Sequence, residues 1–441
     1  MAYLSNSDAD FKEMLTVIGV DSFDDLIENI PQDIRFKGSL NVPEAESEFG
    51  VSRILEQMSE KNRNYISFLG GGVYDHYSPA IIGAIISRSE YYTAYTPYQP
   101  EVSQGNLQLM YEFQSMISEL TNMDVTNASM YEAGSALAEA ALLSVSYSKR
   151  KKLLLSAQIN PHYKNVLKTY VNNADIELVE IPEKNGITDM NALSSLMDDN
   201  VGGIIMQHPN YYGFFEDMET VAKFREDKKR LLIQVYDPIS LGLIKTPGDF
   251  GADIAVAEGQ SLGIPQNYGG PFVGLFSTTQ KLVRLIPGRL AGITEDVNGK
   301  RGFVLTLQTR EQHIRREKAT SNITTNTTLN AIMAAINVAL LGEKGFKSLS
   351  RRIFENTLYL ERRLASAGVV VYAPKSLHFK RLTYSISSPE NVLEKIIRER
   401  KIIPFSLLGD NYVQTCVTEV HEREDIDKLF KALKEEVESN V

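Results

Sequence analysis

The chain is 441 residues long, 43% hydrophobic and 23% charged, with a formal net charge of −10 and one cysteine, Cys416. That length asks for more than one core, and the acidic balance, with cationic runs no longer than Lys149–Lys152, argues against nucleic acid. A lone cysteine excludes intramolecular disulfides and cysteine metal sites, and the polar opening and lack of any 18-residue apolar stretch suggest a cytoplasmic protein without signal or membrane span.

Residues 1–60 read as a helical segment. Phe11, Met14, Leu15 and Ile18 fall at helical spacing, residues 22–30 suggest a second helix stopped by Pro31, and residues 44–58 are amphipathic. Such a piece suits either wrapping a partner subunit or covering the domain that follows. Residues 61–330 are expected to form a large α/β domain. Strands at 152–156, 176–181, 203–207, 231–236, 254–257 and 272–277 alternate with helices at 162–172, 190–198 and 218–228. This alternation implies crossover units and a mainly parallel sheet, and the nearly continuous apolar strands fit burial on both faces. From 331 to 441 a smaller α+β domain is expected. It comprises an apolar helix at 330–341 ending at Gly342, a charged helix at 348–367, strands at 369–372, 381–386 and 412–417, and a final amphipathic helix.

Several segments offer chemistry. Gly134-Ser135 opens an Ala-rich helix whose free N–H groups and hydroxyl suit a phosphate, although a plain helix cap looks the same. Asp237 ends the strand at 231–236, where parallel sheets present ligand-binding groups; a turn former before Pro238 is the simpler alternative. His162 follows the strand at 152–156, as an aromatic cover for a ligand or merely as a helix-start residue. The polar-aromatic stretch Tyr91–Gly105 has neither helical nor strand periodicity, and its Tyr95, Thr96, Tyr98, Gln99, Glu101, Ser103 and Gln104 suit a site lining or a structural loop. Residues 314–322 crowd Arg316, Lys318, Thr320, Ser321 and Asn322 together, as an anion-binding loop or a charged surface turn. The six histidines show no metal-ligand spacing, and no nucleophile elbow or Walker loop occurs. The Gly70-Gly71-Gly72 run reads as a turn.

The segment 257–265, leading to Gly269-Gly270-Pro271, has the form of the loop that carries the Schiff-base lysine in pyridoxal-phosphate enzymes, but position 260 is glutamine. A carboxamide nitrogen cannot form an imine. Together with residues 68–76, 95–105, 127–131 and 305–322, this segment closely resembles the P-proteins of the glycine cleavage system, in the subunit 1 form of two-subunit glycine decarboxylase.

The resemblance implies fold type I of the pyridoxal-phosphate enzymes, decarboxylation of glycine, and transfer of its aminomethyl group to the lipoyl arm of H-protein. It further implies a heteromeric assembly with pyridoxal 5'-phosphate covalently held on subunit 2. There the matching loop reads His-Lys-Thr before its Pro and Gly-rich run, and alignment on Pro265 and Gly269-Gly270-Pro271 puts Gln260 opposite that lysine. Lys245 precedes the next strand and is a poor substitute. On this view the chain has no catalytic residue of its own and no metal. Gly134, Ser135, His162 and Asp237 are remnants of a degenerate cofactor site, while the 95–104 and 316–322 loops line the partner's active site. A self-sufficient pyridoxal-phosphate decarboxylase or transaminase, or a non-catalytic scaffold, are the alternatives.

Overall fold

The computed structural model describes residues 5–62, 65–225, 229–268, 270–308, 312–319, 321–373 and 376–439. The chain divides into two compact units, 1–63 and 64–441. In the first, α1 (Asp8–Ile18) opens with a reciprocal cap between Ser7 and Asp10 and stops at Gly19 in the left-handed region, φ 87°. The helix anticipated at 22–30 is a single turn, Phe23–Leu26, which buries no residue. A short segment without tertiary burial cannot offset the cost of helix nucleation. The amphipathic stretch forms α2 (Glu48–Glu60).

The second unit is built on a seven-stranded sheet. Its strands are β1 (Val125–Thr126), β2 (Lys152–Ser156), β3 (Glu177–Ile181), β4 (Val201–His208), β5 (Leu231–Tyr236), β6 (Ile254–Glu258) and β7 (Gly274–Thr278), in spatial order β1-β7-β6-β5-β4-β2-β3. The β6-β5-β4-β2-β3 run is parallel, whereas β7 pairs antiparallel with both β6 and β1. Every residue of β4, β5 and β6 is buried, which is why these strands read as continuous apolar runs.

Helix α3 (Gln104–Thr121) precedes β1, and α4 (Ala133–Ser148) lies against the sheet. The small residues of α4 let it approach β4 closely. A Cβ at Gly203 would come within 2.5 Å of Ser144 Oγ, and that hydroxyl donates to Gly202 O at 3.0 Å. The crossover helices are α5 (Pro161–Val171), α6 (Met190–Leu196) and α7 (Met218–Lys223). The last of these ends short of the expected 228, and residues 226–228 lie outside the described residues. A hairpin of β8 (Leu290–Glu295) and β9 (Arg301–Thr306) packs on α3.

The two helices anticipated on either side of Gly342 are both present, running in succession as α8 (Thr328–Ser366) with a non-helical break at Gly342, φ 56° and ψ −177°. Beyond it, β10 (Arg381–Ser385), β11 (Ser406–Gly409) and β12 (Tyr412–Cys416) form an antiparallel sheet in the order β10-β12-β11, covered by α9 (Pro389–Arg400) and α10 (Arg423–Ser439). The strand expected at 369–372 is absent; an isolated bridge joins Val371 to Tyr384.

Candidate functional site

At the carboxyl end of β6 the chain turns through Gln260, which is 1% exposed. Its Nε2 donates to Tyr74 O at 3.1 Å and Ile264 O at 2.8 Å, and its Oε1 accepts from Tyr74 N at 3.1 Å. The carboxamide therefore serves as a two-way backbone bridge between its own turn and residues 70–76. A lysine ammonium donates only, and could not accept from Tyr74 N.

One strand away, at the end of β5, Asp237 is buried and caps the following turn by accepting from Ile239 N at 3.0 Å. Its other oxygen is bound by Lys380 Nζ at 2.8 Å. Lys380 is itself fully buried, sits 4.4 Å from the Tyr74 ring centroid, and contacts His76 Nε2 at 3.2 Å. His76 Nδ1 in turn meets Glu419 Oε2 at 2.7 Å. Burial alone would raise the Asp237 carboxyl, but the Lys380 and Arg381 charges outweigh it and hold it below its ordinary value. Burial likewise opposes ionisation of Glu419, yet His76 beside it brings that carboxyl down to about 2. The acid that would face a pyridinium nitrogen is thus neutralised by a side chain of the same molecule.

The helix that would hold a phosphate is also engaged. The Glu132 carboxylate accepts from Gly134 N and Ser135 N, and it caps α4 from its own preceding residue. Next to it Glu258 accepts from Ala133 N at 3.1 Å, Gln260 N at 3.1 Å and Val273 N at 3.0 Å. Burial lifts the Glu258 carboxyl to about 8 despite those three donors. Two carboxyl groups thus line the place where a phosphate dianion would have to sit.

The cleft bounded by Tyr74, Asn160, Tyr163, Asp237, Glu258 and Arg381 retains only about 20 Å³. An adjoining pocket of about 370 Å³ runs past Gly70–Val73, Glu132, His162 and Phe272. Its size would admit a small ligand, but the Glu132 carboxylate already occupies the helix N-terminus that lines it and opposes an anion there. Aldehyde anchor, ring-nitrogen partner and phosphate cup are all replaced or taken up internally, so these residues do not fit pyridoxal phosphate.

Of the remaining candidates, His162 is exposed at the start of α5, and Lys245 is paired with Glu219 on the surface at 2.6 Å. Cys416 is buried, and burial pushes its thiol up to about 12, which removes it as a nucleophile. Among the described residues there is no cluster able to hold a metal ion and no helix long and apolar enough to cross a membrane.

The two polar loops lie elsewhere in this unit. Tyr95 is 77% exposed and Tyr98 50%, with Gln99 and Glu101 also exposed. Gln104 is anchored both ways to β9, Nε2 to Phe303 O at 2.9 Å and Phe303 N to Oε1 at 2.9 Å. Arg316, with φ 54°, and Lys318 are exposed, Ser321 lies beside Glu139 of α4, and Asn322 lies beside Tyr170 of α5. Thr320 lies outside the described residues. Tyr98 and the stretch after Asn322 meet at the buried Arg289. Glu132, Glu258, Lys380 and Arg289 all escaped sequence reasoning. Only Glu132 carried a signal, as an acid directly preceding a helix opened by Gly-Ser.

The chain matches the family profile of the glycine cleavage system P-protein over residues 1–433. Proteins of Bacillus mycoides and Geobacillus sp., each described as probable glycine dehydrogenase (decarboxylating) subunit 1, are 46% identical over 98% of this chain and 98% of their own. A crystal structure of inhibitor-bound glycine decarboxylase (P-protein) superposes with a TM-score of 0.88 and 38% identity, covering 99% of this chain and all of that one. Sphingosine-1-phosphate lyase of Burkholderia pseudomallei, at a TM-score of 0.68, 13% identity, 92% of this chain and 94% of its own, shares the fold. So does alanine–glyoxylate aminotransferase of Nostoc sp., at 0.60, 16%, 92% and 98%. The architecture is fold type I of the pyridoxal-phosphate enzymes.

Proposed function

The chain belongs to the glycine cleavage system P-protein family, and on that premise we propose that it is the subunit of glycine decarboxylase that carries no cofactor of its own. It joins a lysine-bearing subunit 2, and the assembled enzyme decarboxylates glycine and passes the aminomethyl group to the lipoyl arm of H-protein. Pyridoxal phosphate on that partner supplies the electron sink for decarboxylation. This chain contributes surface. The 95–104 loop, with Tyr95, Thr96, Tyr98, Gln99, Glu101, Ser103 and Gln104, and the 316–322 loop line the partner's cavity, exclude water from it and orient glycine or the lipoyl arm.

The observation that carries this reading is Gln260, whose carboxamide is spent on Tyr74 and Ile264 at the position aligned with the lysine. A chain without the anchor, with Asp237 already bound to Lys380, needs a second chain to act. The subunit 1 description of its relatives supports the same view.

Reconstitution tests it. With a lysine-bearing subunit 2 and lipoylated H-protein, glycine–bicarbonate exchange should require both subunits, and Tyr98→Ala should lower the rate of the pair without dissociating it. Exchange by this chain alone would favour a self-sufficient enzyme. An inactive pair would favour a scaffold.

A further inference from the structure

The segment 127–131, conspicuous in the sequence, takes no part in the crevice around Gln260. Its Ser129 has φ 100°, a conformation that L residues with a side chain rarely adopt and that tends to mark functional sites. The segment holds residues 324–327 in place through several bonds. Asn326 Nδ2 donates to Ala128 O at 3.0 Å, Thr327 N to Ser129 Oγ at 3.0 Å, Thr327 Oγ1 to Met130 O at 3.1 Å, and Thr324 N to Tyr131 Oη at 3.1 Å. Ala128 N donates to Arg289 O at 2.8 Å.

The Arg289 side chain, 2% exposed, is directed between these elements. Its Nη2 donates to Tyr98 Oη at 3.0 Å and to Thr324 O, and its Nη1 reaches Asn326 Oδ1 at 3.3 Å. The guanidinium carbon is 5.5 Å from the Tyr98 ring centroid. Burying a guanidinium is costly unless its fork of donors is used, so a cation here fixes geometry more strictly than apolar packing would. One side chain therefore locks together the loop bearing Tyr95 and Tyr98 and the irregular segment leading out of Ser321-Asn322.

We propose that Arg289 is a positioning residue of the assembled enzyme: it sets the Tyr98 loop and the Thr324–Asn326 segment in one fixed relation, so that they meet the partner's active site as a preformed surface. This rests on the functional reading above. Small misplacements of lining groups are enough to cost rate.

The test uses Arg289→Met, Arg289→Lys, Tyr98→Phe and the double variant Arg289→Met/Tyr98→Phe, each reconstituted with wild-type subunit 2. Arg289→Met should raise the KM for glycine and lower kcat, together about tenfold or more in kcat/KM. A lesion that only reduced the amount of folded subunit would leave KM unchanged. Arg289→Lys should recover part of the loss, and the double variant should be no worse than the worse single, because both act through one contact.

In the free subunit, chymotrypsin should cut at Tyr95 and Tyr98 faster in Arg289→Met than in wild type. Unchanged KM together with unchanged cleavage would overturn the assignment, as would additive losses. If Arg289→Met does not fold, Tyr98→Phe decides: raised KM and faster cleavage support the role, and wild-type values overturn it. Inactivity of the wild-type pair would overturn the functional reading instead, and the cleavage rates would then decide the role of Arg289.

Discussion

Asp237 and Lys380 form a buried ion pair where the sequence suggested a ligand-facing carboxylate. Both are buried and 2.8 Å apart, with Arg381 and Tyr74 packed around them. Removing one partner leaves the other charge uncompensated, so Lys380→Met should destabilise the chain by about 3–5 kcal/mol, and Asp237→Asn in the same chain should recover much of the loss. Urea unfolding of the two variants checks this; equal stabilities would contradict it.

The acid limb follows from the same contacts. Asp237 and Glu419 are held below their ordinary values of 3.8 and 4.5. The stability they lend is therefore present above those values and lost as pH falls towards 2. The double variant, lacking the Asp237 share, should lose less stability on acidification.

At the scale of elements, α4 is the instructive case. A helix opened by Gly134-Ser135 was legible in the sequence as either a phosphate cradle or a simple cap, and the preceding Glu132 decides between them by filling the N-terminus with its own carboxylate. Glu132→Ala should cost about 1 kcal/mol as a lost cap and should expose the Gly134 and Ser135 N–H groups. Inorganic phosphate should then raise the Tm of the variant and leave wild type unmoved, as read by thermal unfolding. An equal response would contradict this account of the cap.

Strands β2 and β5 were legible to the residue, because strands covered on both faces must be apolar throughout. Residues 369–372 carried the same apolar signal without forming a ladder, since β10 takes β12 as its partner and leaves Val371 a single bridge. Gly342 was legible as a helix stop, and the backbone breaks there: a residue without a Cβ takes φ 56° and ψ −177°, which ends one helical run before the next begins.

For the molecule as a whole, the sheet, the family and the missing lysine could be read from sequence, because each depends on local pattern or on one residue type. The filling of the crevice could not. Lys380 lies 143 positions beyond Asp237 (380 minus 237), and Tyr74 is 186 from Gln260, so only the fold brings them together. What results is a fold type I chain whose crevice around Asp237 is filled by its own charges, while Tyr98 and the stretch after Asn322 meet at Arg289 in the same unit.

The most direct test is the intact mass of both subunits after the active, pyridoxal-phosphate-loaded pair is reduced with borohydride in the absence of glycine. The pyridoxyl adduct should appear on one lysine of subunit 2, with this chain at its unmodified mass. A stoichiometric adduct on this chain would contradict the account.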